Sequence, residues 1–200
     1  MTLTTFDPPE GLRENIENAF MTRFANQWLD GTVRIDGSVD TVTSSLPLPY
    51  YPLAADQALT KKDLTNLGDP PIWKFFFEAR DVNGGESSPF AIAMASRDVS
   101  GRYVYSGTIQ GRFVEQFVSA LKEIERTESI VGPERNYKVA LLFFPSLYVG
   151  SIWLRSVDGI SDKSIILQSS VAFLAGTELS IGEVIELTDF LDLSNRLMSQ

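Results

Sequence analysis

The side chains that could carry chemistry in this chain of 200 residues are carboxylates, hydroxyls and amines, because it contains no histidine and no cysteine. Histidine is the commonest general base and metal ligand, and cysteine supplies the thiol nucleophile and the disulfide. Zinc motifs built on these two residue types and Ser–His–Asp triads are therefore absent from the sequence. A catalytic or metal site would have to be assembled from acidic side chains.

Two pairs of aspartates share the spacing D-G-x-x-D and are the weak candidates for a metal site. Asp36 and Asp40 flank one predicted turn, and Asp158 and Asp162 flank another. Two carboxylates on one turn can hold a divalent cation or share a proton. Asp-Gly is also the ordinary signal of a solvated hairpin turn, so the structural interpretation is favoured and no metal or cofactor is predicted.

Ser119 and Lys122 match the S-x-x-K pair that supplies the nucleophile of penicillin-binding enzymes. The S-D-N and K-T-G strings that accompany this pair in those enzymes do not occur in the sequence. Since no complete catalytic motif is present, the prediction leans towards a protein that is not an enzyme.

Two segments are candidates for a binding surface. The first combines proline with tyrosine, which suits either contact with a protein or packing as a lid over a sheet: Pro47, Pro49, Tyr50, Tyr51 and Pro52. The second is a three-residue repeat of acidic side chains on the predicted last helix: Glu183, Glu186, Asp189 and Asp192. Ordinary solvated surface is the favoured interpretation of this repeat, and contact with a basic partner is the alternative.

The net charge of −9 comes from an excess of acidic side chains near both ends of the chain. This balance disfavours nucleic acid and anionic membranes as partners and favours another protein, for example one with a basic surface. The first residues lack the basic and apolar parts of a secretory signal, and no apolar run is long enough to span a bilayer. A soluble, cytoplasmic protein is expected, and the oligomeric state is left open.

Hydrophobic periodicity predicts the elements that would position these side chains. Apolar residues at every fourth position from Leu12 to Trp28 predict a first helix, with Asp7 as its N-cap and Pro8 as its first residue. Further helices are predicted over 61–67, 111–126 and 181–197, the last capped by Ser180. Period-two alternation and turn signals predict strands over 32–43, 73–80, 90–95, 102–109, 137–144, 149–156 and 163–169.

The predicted fold class is α+β, with antiparallel sheet or sheets built from two strand groups. An N-terminal, a central and a C-terminal helix are expected to pack on one face. Residues 1–200 are expected to form a single domain, with two similar halves over 73–126 and 137–198 as one option. The segment 44–71 is predicted to be irregular because prolines interrupt it at both ends.

Three functions are compatible with these patterns. The first is a non-catalytic, acidic, protein-binding module, and its element order resembles that of small secretion-type chaperones, which implies a regulatory or chaperone-like role. The second is a carboxylate-dependent hydrolase, with magnesium assistance as one version. The third and weakest is a binder of an apolar small molecule, held between a helix and the aromatic residues from Trp73 to Phe77.

Overall fold

The computed structural model describes residues 2–29, 39–53, 59–81, 88–126, 136–159, 161–168 and 181–199. These residues form nine strands and four helices, so the chain is of the mixed α+β class that its sequence predicts. The strands are β1 Thr2–Thr4, β2 Val39–Pro52, β3 Ile72–Asp81, β4 Ser88–Arg97, β5 Tyr103–Gln110, β6 Asn136–Phe144, β7 Val149–Ser156, β8 Lys163–Gln168 and β9 Val184–Glu186. The helices are α1 Leu12–Leu29, α2 Lys61–Thr65, α3 Arg112–Arg126 and α4 Leu187–Met198.

The chain divides into two compact units that alternate along the sequence. Unit 1 comprises Met1–Phe6, Pro49–Pro71 and Ser119–Gln200, and unit 2 comprises Asp7–Leu48 and Ile72–Val118. None of the described helices is long and apolar enough to cross a membrane.

Unit 2 is built around the antiparallel strands β3, β4 and β5, which follow one another in the sheet. Helix α1 buries its four-residue apolar repeat from Leu12 to Phe24, including Ile16 and Phe20. Phe20 stacks on Phe77 of β3 with ring centroids 3.8 Å apart, and Phe76 stacks on Phe117 of α3 at 4.5 Å. Aromatic side chains thus join the helices of this unit to its sheet.

Unit 1 is built around β6, which pairs in parallel with both β1 and the end of β2. On its other side β6 pairs with β7, and antiparallel pairing continues through β8 to β9. Helix α4 buries Leu187, Phe190 and Leu191 in a core that also contains Trp153 of β7. From the second half of β6 and the start of β7 the same core takes Ala140, Leu142, Phe144 and Val149.

The first helix begins four residues later than predicted, at Leu12 rather than Pro8. Gly11 precedes it with a φ of 71°, a left-handed conformation that interrupts a right-handed helix. The short strand β1, which the apolar pattern did not predict, lies before this region.

The last helix is also shorter than predicted, because residues Val184–Glu186 form strand β9. Gly182 has a φ of 88° and donates its N–H to the carbonyl of Ile166 at 2.8 Å, which turns the chain back onto β8. The helix therefore starts at Leu187, and the predicted N-cap Ser180 lies outside the described residues.

The segment predicted to be irregular contains two regular elements, since β2 runs from Val39 to Pro52 and α2 follows. Pro47 and Pro49 are two residues apart, so their missing N–H groups lie on the same side of the strand. The pairing of β2 with β6 begins at Tyr50, after both prolines. The start of the predicted strand 32–43 and the predicted turn at Asn83-Gly84 lie outside the described residues.

Candidate functional site

Unit 1 contains a pocket of about 490 Å³ whose lining is rich in charge. Three cationic side chains, Lys61, Lys138 and Arg155, share the lining with the carboxylates of Asp158 and Asp162. The formal charge of the lining is 3 − 2 = +1, whereas the whole chain carries −9. We call this site the cationic pocket.

Lys138 and Arg155 lie directly opposite each other on β6 and β7. The Arg155 guanidinium lies over the Trp153 ring, 5.6 Å from its centroid, and the Lys138 ammonium lies 5.2 Å from the centroid of the Phe6 ring. Within the described part of the chain, neither cation forms an ion pair with a carboxylate. Like charges in opposed positions repel, so an anion placed between them would be stabilised.

Asp162 is a buried carboxylate, only 3 % exposed, that is held by two hydrogen-bond donors and one ion pair. It accepts hydrogen bonds from the Trp153 indole at 3.2 Å and from the backbone N–H of Ser156 at 3.0 Å. The Lys61 ammonium lies 3.8 Å from it and also donates to the Gly159 carbonyl at 3.5 Å. The charge of Asp162 is therefore compensated by Lys61, and the remaining positive charge of the pocket belongs to Lys138 and Arg155.

Lys61 is positioned by the start of helix α2. Thr60 and Asp63 form a capping box in which each side chain accepts a hydrogen bond from the other residue's backbone N–H. The side-chain hydrogen bond from Thr60 lowers the pKa of Asp63. Leu59, which precedes Thr60, is held by Asn195 of α4. The Asn195 side chain accepts a hydrogen bond from the Leu59 N–H at 2.9 Å and donates one to the Leu59 carbonyl at 2.8 Å.

The structure brings one of the two predicted aspartate pairs together. Asp158 accepts a hydrogen bond from the Ser156 hydroxyl, and Asp162 accepts from the Ser156 backbone, so both carboxylates order the turn after β7. Asp36 lies outside the described residues, as does the side chain of Asp40 in β2. Within the described ranges, no group of three or more acidic side chains is arranged to hold a metal ion.

The proline–tyrosine segment forms part of β2, where Pro47, Pro49 and Tyr51 are buried. Tyr50 is half-buried and stacks on a neighbouring ring of β6, and burial raises its pKa to about 12. Only Pro52 of the five residues is exposed. The segment therefore contributes mainly to the packing of the sheet.

The acidic repeat is divided between two elements rather than lying on one helix. Glu186 ends β9, where it pairs with Lys163 and accepts a hydrogen bond from the Ser161 hydroxyl at 2.9 Å. Glu183 lies just before that strand, whereas Asp189 and Asp192 are exposed on α4. The side chains of the repeat therefore do not form a continuous face of one helix.

Two further candidates from the sequence are placed differently. Ser119 is exposed on α3, and the side chain of Lys122 lies outside the described residues. The aromatic residues proposed to hold an apolar ligand are buried in unit 2, where Phe76 and Phe77 pack directly against rings from the helices.

The cationic pocket was not predicted from the sequence. Lys138 and Arg155 are single charged residues near the ends of two apolar strands, where they alternate with buried neighbours. That alternation indicates that each of the two side chains points to the opposite face of the sheet from its buried neighbours. Whether Lys138 and Arg155 lie next to each other depends on the register between β6 and β7. Lys61 is brought to the same place by a separate helix.

No family model, no curated protein and no solved structure matches the chain. The assignment of a function therefore depends on the geometry of the cationic pocket.

Proposed function

We propose that the protein is a non-catalytic binding module that recognises an anionic group in the cationic pocket. The observation that carries this proposal is the placement of Lys138 opposite Arg155, with no ion-paired carboxylate at either among the described residues. In a chain with 26 acidic and 17 basic residues, two adjacent cations without an acidic partner are unexpected. A bound anion would relieve their repulsion.

The pocket is suited in size and charge to one small anionic group. Its volume of about 490 Å³ lies within the range of sites for small molecules, about 300–1,000 Å³. Hydrogen bonds to charged groups contribute about 1.5–3 kcal/mol each, so two of them would support an affinity near the millimolar range. The negative charge of the rest of the chain would repel a polyanion at long range.

The contacts of the two carboxylates in the pocket favour a binding function over a catalytic one. Asp158 and Asp162 are both engaged by Ser156, and Asp162 is further held by Trp153 and Lys61. Their observed role is to order the turn that lines the pocket. An anionic group carried by another protein would fit a regulatory or chaperone-like role, whereas the hydrolase and the apolar-ligand binder have no comparable support in the described residues.

The test compares two double variants of the full chain that lose the same charge. The first replaces the opposed cations, Lys138→Gln with Arg155→Gln, and the control replaces two exposed cations that do not line the pocket, Arg13→Gln with Lys62→Gln. Binding of phenylacetate and of phenyl phosphate is followed by calorimetry and by the shift in melting temperature.

We expect the wild type to bind at least one of these anions, the pocket variant to lose about tenfold or more in affinity, and the control to stay within about twofold. An equal loss in both variants would show that only long-range charge matters. Absence of binding to the wild type at about 10 mM of either anion would also refute the proposal.

A further inference from the structure

We infer that the ligand of the cationic pocket is a monoanionic carboxylate attached to an apolar group. The inference rests on the proposed function and adds the chemical class of the ligand. Three features carry it: the charge of the lining, the kinds of cation present, and an apolar wall beside them.

The charge of the lining matches one negative charge. Lys61 is compensated by Asp162 at 3.8 Å, and the lining also contains the Asp158 carboxylate, so its formal charge is +1. A monoanion would bring the formal charge of the lining from +1 to zero, whereas a dianionic phosphate would bring it to −1 close to Asp158. The balance therefore favours a carboxylate over a phosphate.

The two opposed cations suit a carboxylate in complementary ways. A guanidinium presents a planar fork of N–H donors that binds both oxygens of a carboxylate, and a lysine ammonium adds a point charge. The Trp153 ring under Arg155 restricts the guanidinium, with 5.6 Å from its Cζ to the ring centroid. Lys138 lies opposite Arg155 on the neighbouring strand, so the ammonium and the guanidinium can contact the two oxygens of one carboxylate at once.

The apolar wall consists of Phe6 and Val157, which line the same pocket. Phe6 packs on the core of unit 1, so it is held in place beneath Lys138. Val157 is 61 % exposed at the tip of the turn after β7, which leaves apolar surface open to a ligand. A carboxylate with an attached hydrocarbon group would bury this surface while its charge meets Arg155.

Such a group has two sources, a free organic acid and the C-terminal carboxylate of a protein that ends in an apolar residue. The test uses the full chain and four small probes at about pH 7.5: phenylacetate, acetate, phenylacetamide and phenyl phosphate. A short peptide ending in phenylalanine, with either a free or an amidated C-terminus, distinguishes the two sources. Affinities are measured by calorimetry or by the shifts of backbone resonances on titration.

We expect phenylacetate to bind about tenfold more tightly than acetate and several-fold more tightly than phenyl phosphate, with phenylacetamide not bound. Tighter binding of phenyl phosphate would overturn the carboxylate class while leaving anion recognition intact. Equal binding of acetate and phenylacetate would overturn the apolar part of the inference. Absence of binding by every anion would instead refute the proposed function itself.

A matched pair of variants tests the apolar wall separately from the charge. Val157→Ser is expected to weaken phenylacetate by several-fold and to leave acetate unchanged. Val99→Ser is the control, because Val99 is also an exposed valine at a turn but belongs to unit 2. If both variants bind phenylacetate as the wild type does, Val157 does not contact the apolar group and the inference fails.

The peptide comparison identifies the source of the carboxylate. If the free-carboxylate peptide binds more tightly than phenylacetate, the source is a protein C-terminus; the reverse order identifies a free acid.

Discussion

The indole N–H of Trp153 donates a hydrogen bond of 3.2 Å to the carboxylate of Asp162, and both side chains are almost completely buried. The same indole ring carries the Arg155 guanidinium on its face, and the same carboxylate pairs with Lys61. One buried contact thus connects two of the three cations in the pocket. Its removal is expected to disturb both the stability of unit 1 and the arrangement of charge around the ligand.

Asp162→Asn is expected to destabilise the protein by about 1–3 kcal/mol. The amide oxygen can replace only one of the two carboxylate oxygens, which serve the Trp153 indole and the Ser156 backbone, so one buried donor loses its acceptor. In a Trp153→Phe background the indole donor is gone, and the same substitution should cost about 1 kcal/mol less. Urea unfolding of the four proteins of this double-mutant cycle checks the prediction, and additive costs would contradict it.

Asn195→Ala is expected to destabilise the protein by about 1–3 kcal/mol, because both hydrogen bonds to the Leu59 backbone are lost. Asn195→Asp keeps the acceptor for the Leu59 N–H but loses the donor to its carbonyl, so it should also destabilise. Arg196→Ala is the control on the same helix, since Arg196 is exposed, and should change stability by less than about 0.5 kcal/mol. Equal stability of the Asn195→Ala and Arg196→Ala variants in thermal unfolding would show that this contact is not important.

Gly101→Ala is expected to cost about 1–2 kcal/mol through backbone conformation alone. Gly101 has a φ of 80° in the turn between β4 and β5, and a Cβ there would meet no atom within 4 Å. Gly68 is equally open but does not need a left-handed conformation, so Gly68→Ala should be neutral or slightly stabilising. Denaturant midpoints of the two variants give the comparison, and equal midpoints would count against the conformational explanation.

Because Lys74 is buried, the free energy of unfolding is expected to rise as the pH is raised above about 8. Lys74 is 4 % exposed on β3, and burial lowers its pKa from 10.5 to about 8. Below about pH 8 the buried ammonium costs about 3 kcal/mol, and this cost disappears as the pH rises from 8 towards 10.5, where the unfolded state binds more protons than the folded state.

The measurement is the difference in unfolding free energy between the wild type and Lys74→Met, taken from about pH 7.5 to pH 10. The difference should move in favour of the wild type by about 2 kcal/mol. The range stops there because Tyr50 has its pKa raised from 10.0 to about 12, so its contribution to stability is lost above pH 10. A difference that does not change with pH would contradict the burial of a charged Lys74.

Local patterns predicted the strands β3 to β8 and helix α3 to within a few residues, because period-two and helical repeats report directly on which side chains are buried. The first and last helices were predicted too long, since the left-handed conformations of Gly11 and Gly182 are decided by the path of the chain around them. The prolines predicted an irregular segment where the structure has strand β2. A proline disrupts a strand only where its missing N–H would have to donate a hydrogen bond to a neighbouring strand, and the sequence does not show which N–H groups must donate. For the aspartates at 158 and 162, the predicted turn is present, and both carboxylates are bonded to Ser156.

By itself the sequence determined the chemical inventory: no histidine, no cysteine, an acidic balance, and an α+β pattern of apolar residues. The tertiary structure decided which charges meet, because a shift of one residue between β6 and β7 would place Arg155 on the opposite face from Lys138. It also brought Lys61 from a separate helix to the same pocket through Asp162 and Asn195. Strand register and helix docking depend on packing between distant segments, and a cationic pocket in an acidic chain is a product of that packing.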